Sequence, residues 1–268
     1  MNQLLPLAGK VAVITGSGRK AGLGIAIARR LARDGAKIIL SDVTLTDEIE
    51  ALATECRQEG YVVATRACDV TDYDQVQALG QASLSEFGRL DIWVNNAGIG
   101  YIMKPLLEVS PQDWAKVIDV NLTGAFFGIK TAAEIMIAQA NGGRIINIAS
   151  QAAKSGFPHA QAYSASKHGL VGLVRSAAIE LGAHGITLNN VCPNHVTTGL
   201  GAWQNEYFAK VTGHESVAAY MAAMINRIPM GRAGLAEDTA NAVAFLCSEG
   251  AGYITAESMN VSGGEEPH

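Results

Sequence analysis

Short β-branched runs alternate with amphipathic helical stretches along the whole chain, and that alternation leaves few folds open. Strands are expected at 10–14, 37–40, 61–67, 91–94, 144–149, 186–191 and 258–261. Between them, helical periodicity marks 25–34, 72–87, 162–184 and 237–248. A further long helix opens with Ser110 as N-cap and Pro111 at its first position and runs to about 138. Helical crossovers between six of these strands imply parallel pairing, and so an α/β Rossmann-type doubly wound sheet of about seven strands with helices on both faces. No linker or repeat divides the chain. One domain over 1–268 suits this length, with a loop and helices at 194–227 breaking the rhythm as a substrate lid.

Ligands of such sheets bind beyond the C-terminal strand ends. The polar signals of this chain fall there: Thr15-Gly16, Asp42, Asp69, Asn95-Asn96-Ala97-Gly98, Ser150 and Pro193-Asn194 each follow a strand. The first strand runs into a glycine-rich turn, Gly16, Ser17, Gly18, Gly22, Leu23 and Gly24, and then a helix. Glycines let backbone approach a pyrophosphate, and the helix N-terminus offers unpaired N–H groups and partial positive charge. Asp42, about twenty residues beyond the turn, stands where an acidic side chain binds adenosine ribose hydroxyls.

Tyr163 and Lys167 occupy positions i and i+4 of a helix and so share a face. Ser150 lies thirteen residues upstream of Tyr163. A phenol titrates near ~10, and bringing it to ~7 takes about 4 kcal/mol of selective stabilisation of the phenolate. A fixed positive charge beside it works in that direction. Such a pair can move a proton on or off an alcohol at neutral pH.

Composition narrows the partners. Net charge is −5 with no basic block, which argues against nucleic acid. No apolar run reaches membrane-spanning length, and no secretory leader pattern is visible. The four cysteines, Cys56, Cys68, Cys192 and Cys247, show no pairing or metal-like spacing, so a reducing cytoplasm is expected. His159 and His195 have no carboxylate at ligand spacing, and no metal is expected.

Taken together, these residues resemble the short-chain dehydrogenase/reductase family in its single-domain form, from about residue 10 to 264. Its Asn-Ala-Gly motif matches Asn96, Ala97 and Gly98, and its Ser-Tyr-Lys set matches Ser150, Tyr163 and Lys167. The fourth catalytic member matches Asn121, and the acidic residue that meets adenine matches Asp69, followed by Val70. The Pro-Gly loop is represented by Pro193 and Asn194, with Val196 and Thr198 beyond. The resemblance implies that Tyr163 carries the proton, Ser150 holds the substrate oxygen, Lys167 tunes Tyr163 and binds the nicotinamide ribose, and Asn121 holds a water on a proton path. It also implies hydride exchange with a nicotinamide cofactor, and pairing of the two long helices between subunits, giving a homotetramer. Three departures stand out. Five residues rather than three separate Gly16 from Gly22, adding Arg19 and Lys20; the Pro-Gly glycine is Asn194; and Asp-Gly-Gly is here Ser262-Gly263-Gly264.

Asp42 would repel a 2′-phosphate, which favours NAD, whereas Arg19 and Lys20 could clamp one, which favours NADP. For a small-molecule substrate the pocket candidates are Ser150, Gln151, His159, Asn194, His195 and Trp203, with Tyr207 and Phe208 beside Trp203 in the lid. Their polarity points to a sugar, polyol or other small polar hydroxy compound, oxidised at a secondary alcohol. The alternatives are an NADPH-dependent 3-oxoacyl reductase and a non-catalytic cofactor-binding protein. The tail, 265–268, reads as a solvated end that could reach a neighbouring subunit.

Overall fold

The computed structural model describes residues 5–267. Seven strands form one sheet: β1 (Val11–Thr15), β2 (Lys37–Asp42), β3 (Val63–Ala67), β4 (Ile92–Asn95), β5 (Gly143–Ile148), β6 (Ile186–Pro193) and β7 (Ser258–Val261). Their order is β3-β2-β1-β4-β5-β6-β7, and every pairing is parallel. The order reverses between β1 and β4, which opens a crevice at their C-terminal ends.

The helices are α1 (Leu23–Arg33), α2 (Asp47–Gln58), α3 (Tyr73–Phe87), α4 (Pro111–Ile118), α5 (Gly124–Gln139), α6 (Gln161–Leu181), α7 (Gly199–Val211), α8 (Val217–Ile225) and α9 (Ala236–Cys247). Two differ from expectation. Helix α2 was not anticipated, although Ile49, Leu52, Ala53 and Cys56 recur at helical spacing and are buried, behind acids in the first turn. The long helix opened by Ser110 is broken by a π-helical turn, Asp119–Thr123, between α4 and α5. Ser110 caps α4 as expected, accepting from the Asp113 amide while the Asp113 carboxylate accepts from the Ser110 amide.

Both sheet faces are covered, which is why the strands read as near-continuous apolar runs. On one face Ile14, Leu40, Val94 and Ile146 pack with Leu31 of α1 and Val243 of α9. On the other, Val13, Ile39, Trp93 and Ile145 pack with Leu79 of α3, Met136 of α5 and Val174 of α6. Among the described residues, no helix is long and apolar enough to cross a membrane. All four cysteines are free and buried.

A row of polar side chains crosses the buried sheet in register. Asn95, Asn147, Asn190 and Ser258 are successive cross-strand partners on β4, β5, β6 and β7. Trp93 Nε1 donates to Asn95 Oδ1 at 2.7 Å, Asn95 Nδ2 to Asn147 Oδ1 at 2.8 Å, Asn147 Nδ2 to Asn190 Oδ1 at 3.1 Å, and Asn190 Nδ2 to Ser258 Oγ at 3.0 Å. Gly128 of α5 makes room for this row: a Cβ there would lie 2.1 Å from Asn95 Oδ1 and 2.6 Å from Trp93 Nε1. Gly128→Ala is therefore expected to destabilise the fold by about 2–4 kcal/mol, from overpacking plus a disrupted buried amide. A denaturant midpoint within error of the parent would contradict this.

Candidate active site

The turn after β1 is pinned in place by its neighbours. Gly16 has a φ of 63°, and a Cβ on it would come within 2.6 Å of Ala97 Cα. Asn96 Nδ2 clamps the turn by donating to the carbonyls of Thr15 at 2.9 Å and Gly16 at 2.8 Å. Thr15 Oγ1 accepts from the amides of Asn96 and Ala97, each at 3.1 Å. Ser17 is buried and spends its hydroxyl on strand backbone at Ile14 and Ser41, so it shapes the turn. Gly22 is the N-cap of α1, and Leu23 and Gly24 begin that helix.

Asp42 ends β2 beside this turn. Its Oδ2 accepts from the Gly18 amide at 2.9 Å and its Oδ1 from the Val43 amide at 2.9 Å. The two cations of the lengthened turn face α2. Arg19 pairs with Glu48 at 3.4 Å, Lys20 donates its backbone amide to Glu48 at 2.8 Å, and Lys20 Nζ lies 3.8 Å from Glu55. Asp69 is held by the amide and hydroxyl of Thr71, at 2.9 and 2.7 Å. Val70 backs Gly124, where a Cβ would approach it to 2.9 Å.

One cleft of about 1850 Å³ runs from this turn to the lid and includes Gly16, Asp42, Asp69, Asn96, Gly98, Ser150, Tyr163, Lys167, Pro193, Val196 and Thr198 in its walls. Ser150 leaves β5, while Tyr163 and Lys167 sit one turn apart on α6. Lys167 is 5% exposed. Its Nζ donates to the Ile148 carbonyl at 2.7 Å and lies 5.6 Å from the Tyr163 ring centroid. Asn121 lies in the π-helical turn, a kind of irregularity frequent at functional sites. Its Oδ1 accepts from the Ile99 amide at 2.8 Å, and its Nδ2 donates to the Ile99 carbonyl at 2.9 Å and to Ser166 Oγ at 3.2 Å. A Cβ on Gly98 would stand 3.3 Å from Asn121 Oδ1 and 3.8 Å from Lys167 Nζ.

Burial dominates the titration of this cluster. It pushes the Tyr163 phenol up, against the hydrogen bond with Ser150, which pulls it down. It brings the Lys167 ammonium down to about 8. Both groups are thus protonated at neutral pH, the state in which a phenol can donate to a substrate carbonyl oxygen. A group whose pKa falls to about 8 keeps its proton below that pH and loses it above. Carbonyl reduction should therefore weaken as pH rises through about 8, because the ammonium that stabilises the phenolate left by proton donation is lost. Lys167→Met should remove that break from the profile. Superimposable profiles for the two proteins would rule out the ammonium as its source.

The expected substrate residues separate. Gln151, Asn194, His195 and Trp203 line the cleft. His159 is placed otherwise: its Nδ1 lies 2.9 Å from the Tyr207 hydroxyl, and it is Pro158 and Ala160 on either side that line the cleft. Trp203 stacks on Tyr207 with centroids 5.5 Å apart. Phe208 also lines the lid side, together with Leu200, Gln204, His214, Tyr220 and Arg227.

The C-terminal residues overturn the solvated-end expectation. Glu265 and Glu266 fold back onto the substrate end of the cleft, and Glu266 is only 9% exposed. Gln151, Ser155, Asn194 and Arg227 reach these two carboxylates from 115, 111, 71 and 38 positions away in sequence, and no local pattern announces them. His268 lies outside the described residues.

The family described as Enoyl-(Acyl carrier protein) reductase matches residues 16–266. Galactitol 2-dehydrogenase of Agrobacterium fabrum is 36% identical over 255 residues, covering 95% of this chain and 96% of that protein. The structure of an NAD+-bound xylitol dehydrogenase matches with a TM-score of 0.90 at 32% identity, covering 96% and 99% of the two chains. An actinorhodin polyketide ketoreductase with NADPH matches with a TM-score of 0.90 at 34% identity, covering 97% and 98%.

Proposed function

Since the chain belongs to the short-chain dehydrogenase/reductase family, whose members act on hydroxyl and keto groups, we propose that it is an NAD-dependent oxidoreductase of small polar hydroxy compounds, chiefly polyols or sugars. The observation that carries this reading is the single cleft that joins Asp42 to Ser150, Tyr163 and Lys167. The close approach of Gly16 to Ala97 holds the turn after β1 against the Asn96-Ala97-Gly98 segment, and both line the cleft that a dinucleotide would occupy. Asp42 would hold the adenosine ribose, Asp69 and Val70 the adenine, and Lys167 the nicotinamide ribose. When bound, the nicotinamide takes or supplies the hydride. Ser150 orients the substrate oxygen, and Tyr163 Oη gives or takes its proton. The buried Lys167 beside it replenishes charge at that point, and Asn121 secures the loop carrying Gly98 and Ile99.

The rival reading, an NADPH-dependent 3-oxoacyl reductase, needs a cation for the 2′-phosphate. Arg19 and Lys20 are the candidates, and both are engaged by Glu48 and Glu55 of α2. The polar walls at Gln151, Asn194 and His195 also suit a hydroxylated substrate better than an acyl chain. A screen of polyols, sugars and 3-oxoacyl thioesters, read at the nicotinamide absorbance with each cofactor, separates the two. Turnover of the thioester alone would overturn the proposal.

We further propose a homotetramer built on α4–α5 and α6, where Phe126, Ile137 and Ile179 leave apolar surface at 44%, 39% and 80% exposure. Light scattering at micromolar concentration should give four times the chain mass of 28.1 kDa. A monomer would refute it.

A further inference from the structure

The tail settles which way the polar groups of the substrate wall can point. Gln151 Nε2 donates to Glu266 Oε2 at 3.1 Å, and the Ser155 hydroxyl donates to the same oxygen. Asn194 Nδ2 donates to Glu265 Oε2 at 2.5 Å, and His195 Nε2 lies 3.1 Å from that oxygen. Arg227 Nε donates to Glu265 Oε1 at 3.0 Å. An ionised carboxylate only accepts hydrogen bonds, so each of these partners must turn an N–H or O–H toward the tail. For Gln151, Asn194 and His195 the consequence is directional. One N–H of each is drawn to the tail, which fixes the orientation of the group and turns its acceptor the other way: Gln151 Oε1, Asn194 Oδ1 and His195 Nδ1. Gln151 Oε1 has no hydrogen-bond partner although the residue is 8% exposed. A buried acceptor without a donor calls for an explanation.

Three more observations agree. All three residues line the same cleft as Ser150 and Tyr163. His195 is held at a φ of 45°, a backbone conformation uncommon outside glycine. Burial pulls its pKa down against Glu265, which keeps the ring neutral and its Nδ1 an acceptor at neutral pH.

We propose that Glu265 and Glu266 are positioning residues that make this wall hydrogen-bond accepting, so that the site selects substrates with hydroxyl donors beyond the reacting one. This deepens, and rests on, the reading of the protein as a polyol or sugar oxidoreductase. A polyhydroxylated chain supplies donors for these acceptors. A mono-hydroxy alcohol leaves its acceptors unpaired, and a site built to pair a hydroxyl discriminates strongly against an analogue without it.

The test compares kcat/KM for xylitol with that for 2-butanol. The wild type should favour xylitol. Glu266→Gln, whose amide can donate, lets the Gln151 carboxamide turn over, so the xylitol/2-butanol ratio should fall about 10-fold, chiefly through the KM for xylitol. Glu265→Gln should act in the same direction through Asn194 and His195. Gln151→Met removes the acceptor itself and should give a similar loss. Adding Glu266→Gln to Gln151→Met should then cost little more, because both act through one side chain. If Glu266→Gln fails to fold, the ratios for Gln151→Met and Glu265→Gln carry the test. Parallel changes for both alcohols, or additive losses in the double variant, would overturn the proposal. So would a wild type that oxidises 2-butanol but not xylitol, which leaves the oxidoreductase reading standing. Turnover of neither alcohol would remove that reading as well.

Discussion

Tyr163→Phe should lower turnover by at least ~10²-fold, the range for loss of a positioned acid or base, while NAD binding persists. The change deletes one oxygen and leaves the ring that packs beside Lys167. That oxygen is the group in hydrogen-bonding contact with Ser150, in the cleft that Asp42 also lines. Cofactor affinity, read by fluorescence or calorimetry, should stay within about threefold of the parent, since one neutral hydroxyl contributes little to binding relative to its transition-state role. Near-parental turnover would strip Tyr163 of its assigned part. Loss of cofactor binding along with turnover would point to a collapsed site.

The second large effect concerns cofactor choice. The wild type should prefer NAD over NADP by roughly 10- to 10³-fold in kcat/KM, because one poorly screened like-charge contact costs on the order of 1–4 kcal/mol. Asp42→Ala should narrow that gap from both sides, weakening NAD and relieving NADP. The geometry sharpens the expectation. Asp42 is fixed by two backbone amides, so its charge cannot swing aside easily. The cations that could offset it are occupied by Glu48 and Glu55. Both pairs are largely exposed and weak, so they define a direct control: Glu48→Gln should free Arg19 and shift preference toward NADP. An NADP preference in the wild type would mean that the lengthened turn governs selection.

Legibility in the sequence followed locality. Strand positions and the residues at their C-terminal ends were readable, because alternation and period are local and the ends of parallel strands must converge. Thus Gly16, Asp42, Gly98 and Ser150 could be placed at one edge of the sheet from position alone, while Tyr163 and Lys167 joined them through the family resemblance. Helix α2 was readable but passed over, since its apolar positions sit among many charges. The break at Asn121 was not readable: a π-helical turn inserts no residue type that marks it. The roles of Glu265 and Glu266 depend on closure of the chain onto itself, which no neighbouring residue encodes. His159 illustrates the converse. Its sequence neighbourhood suggested the pocket, yet its ring is spent on Tyr207 of the lid.

The row of amides across β4 to β7 has a consequence for folding as well as for packing. An apolar strand can slip by two residues along its neighbour and still present the same faces to the helices. Burial alone therefore forgives such an error. Asn95, Asn147, Asn190 and Ser258 do not, because each finds its partner only when all four strands are level. A slipped strand would strand buried amides at about 1–3 kcal/mol apiece. The row thus acts as a proofreading mark for strand alignment, and it lies under the strands whose ends deliver Ser150 and Asn194. Replacing Asn147 with leucine should leave a sheet that still forms but refolds through misaligned species, visible as slow phases absent from the parent.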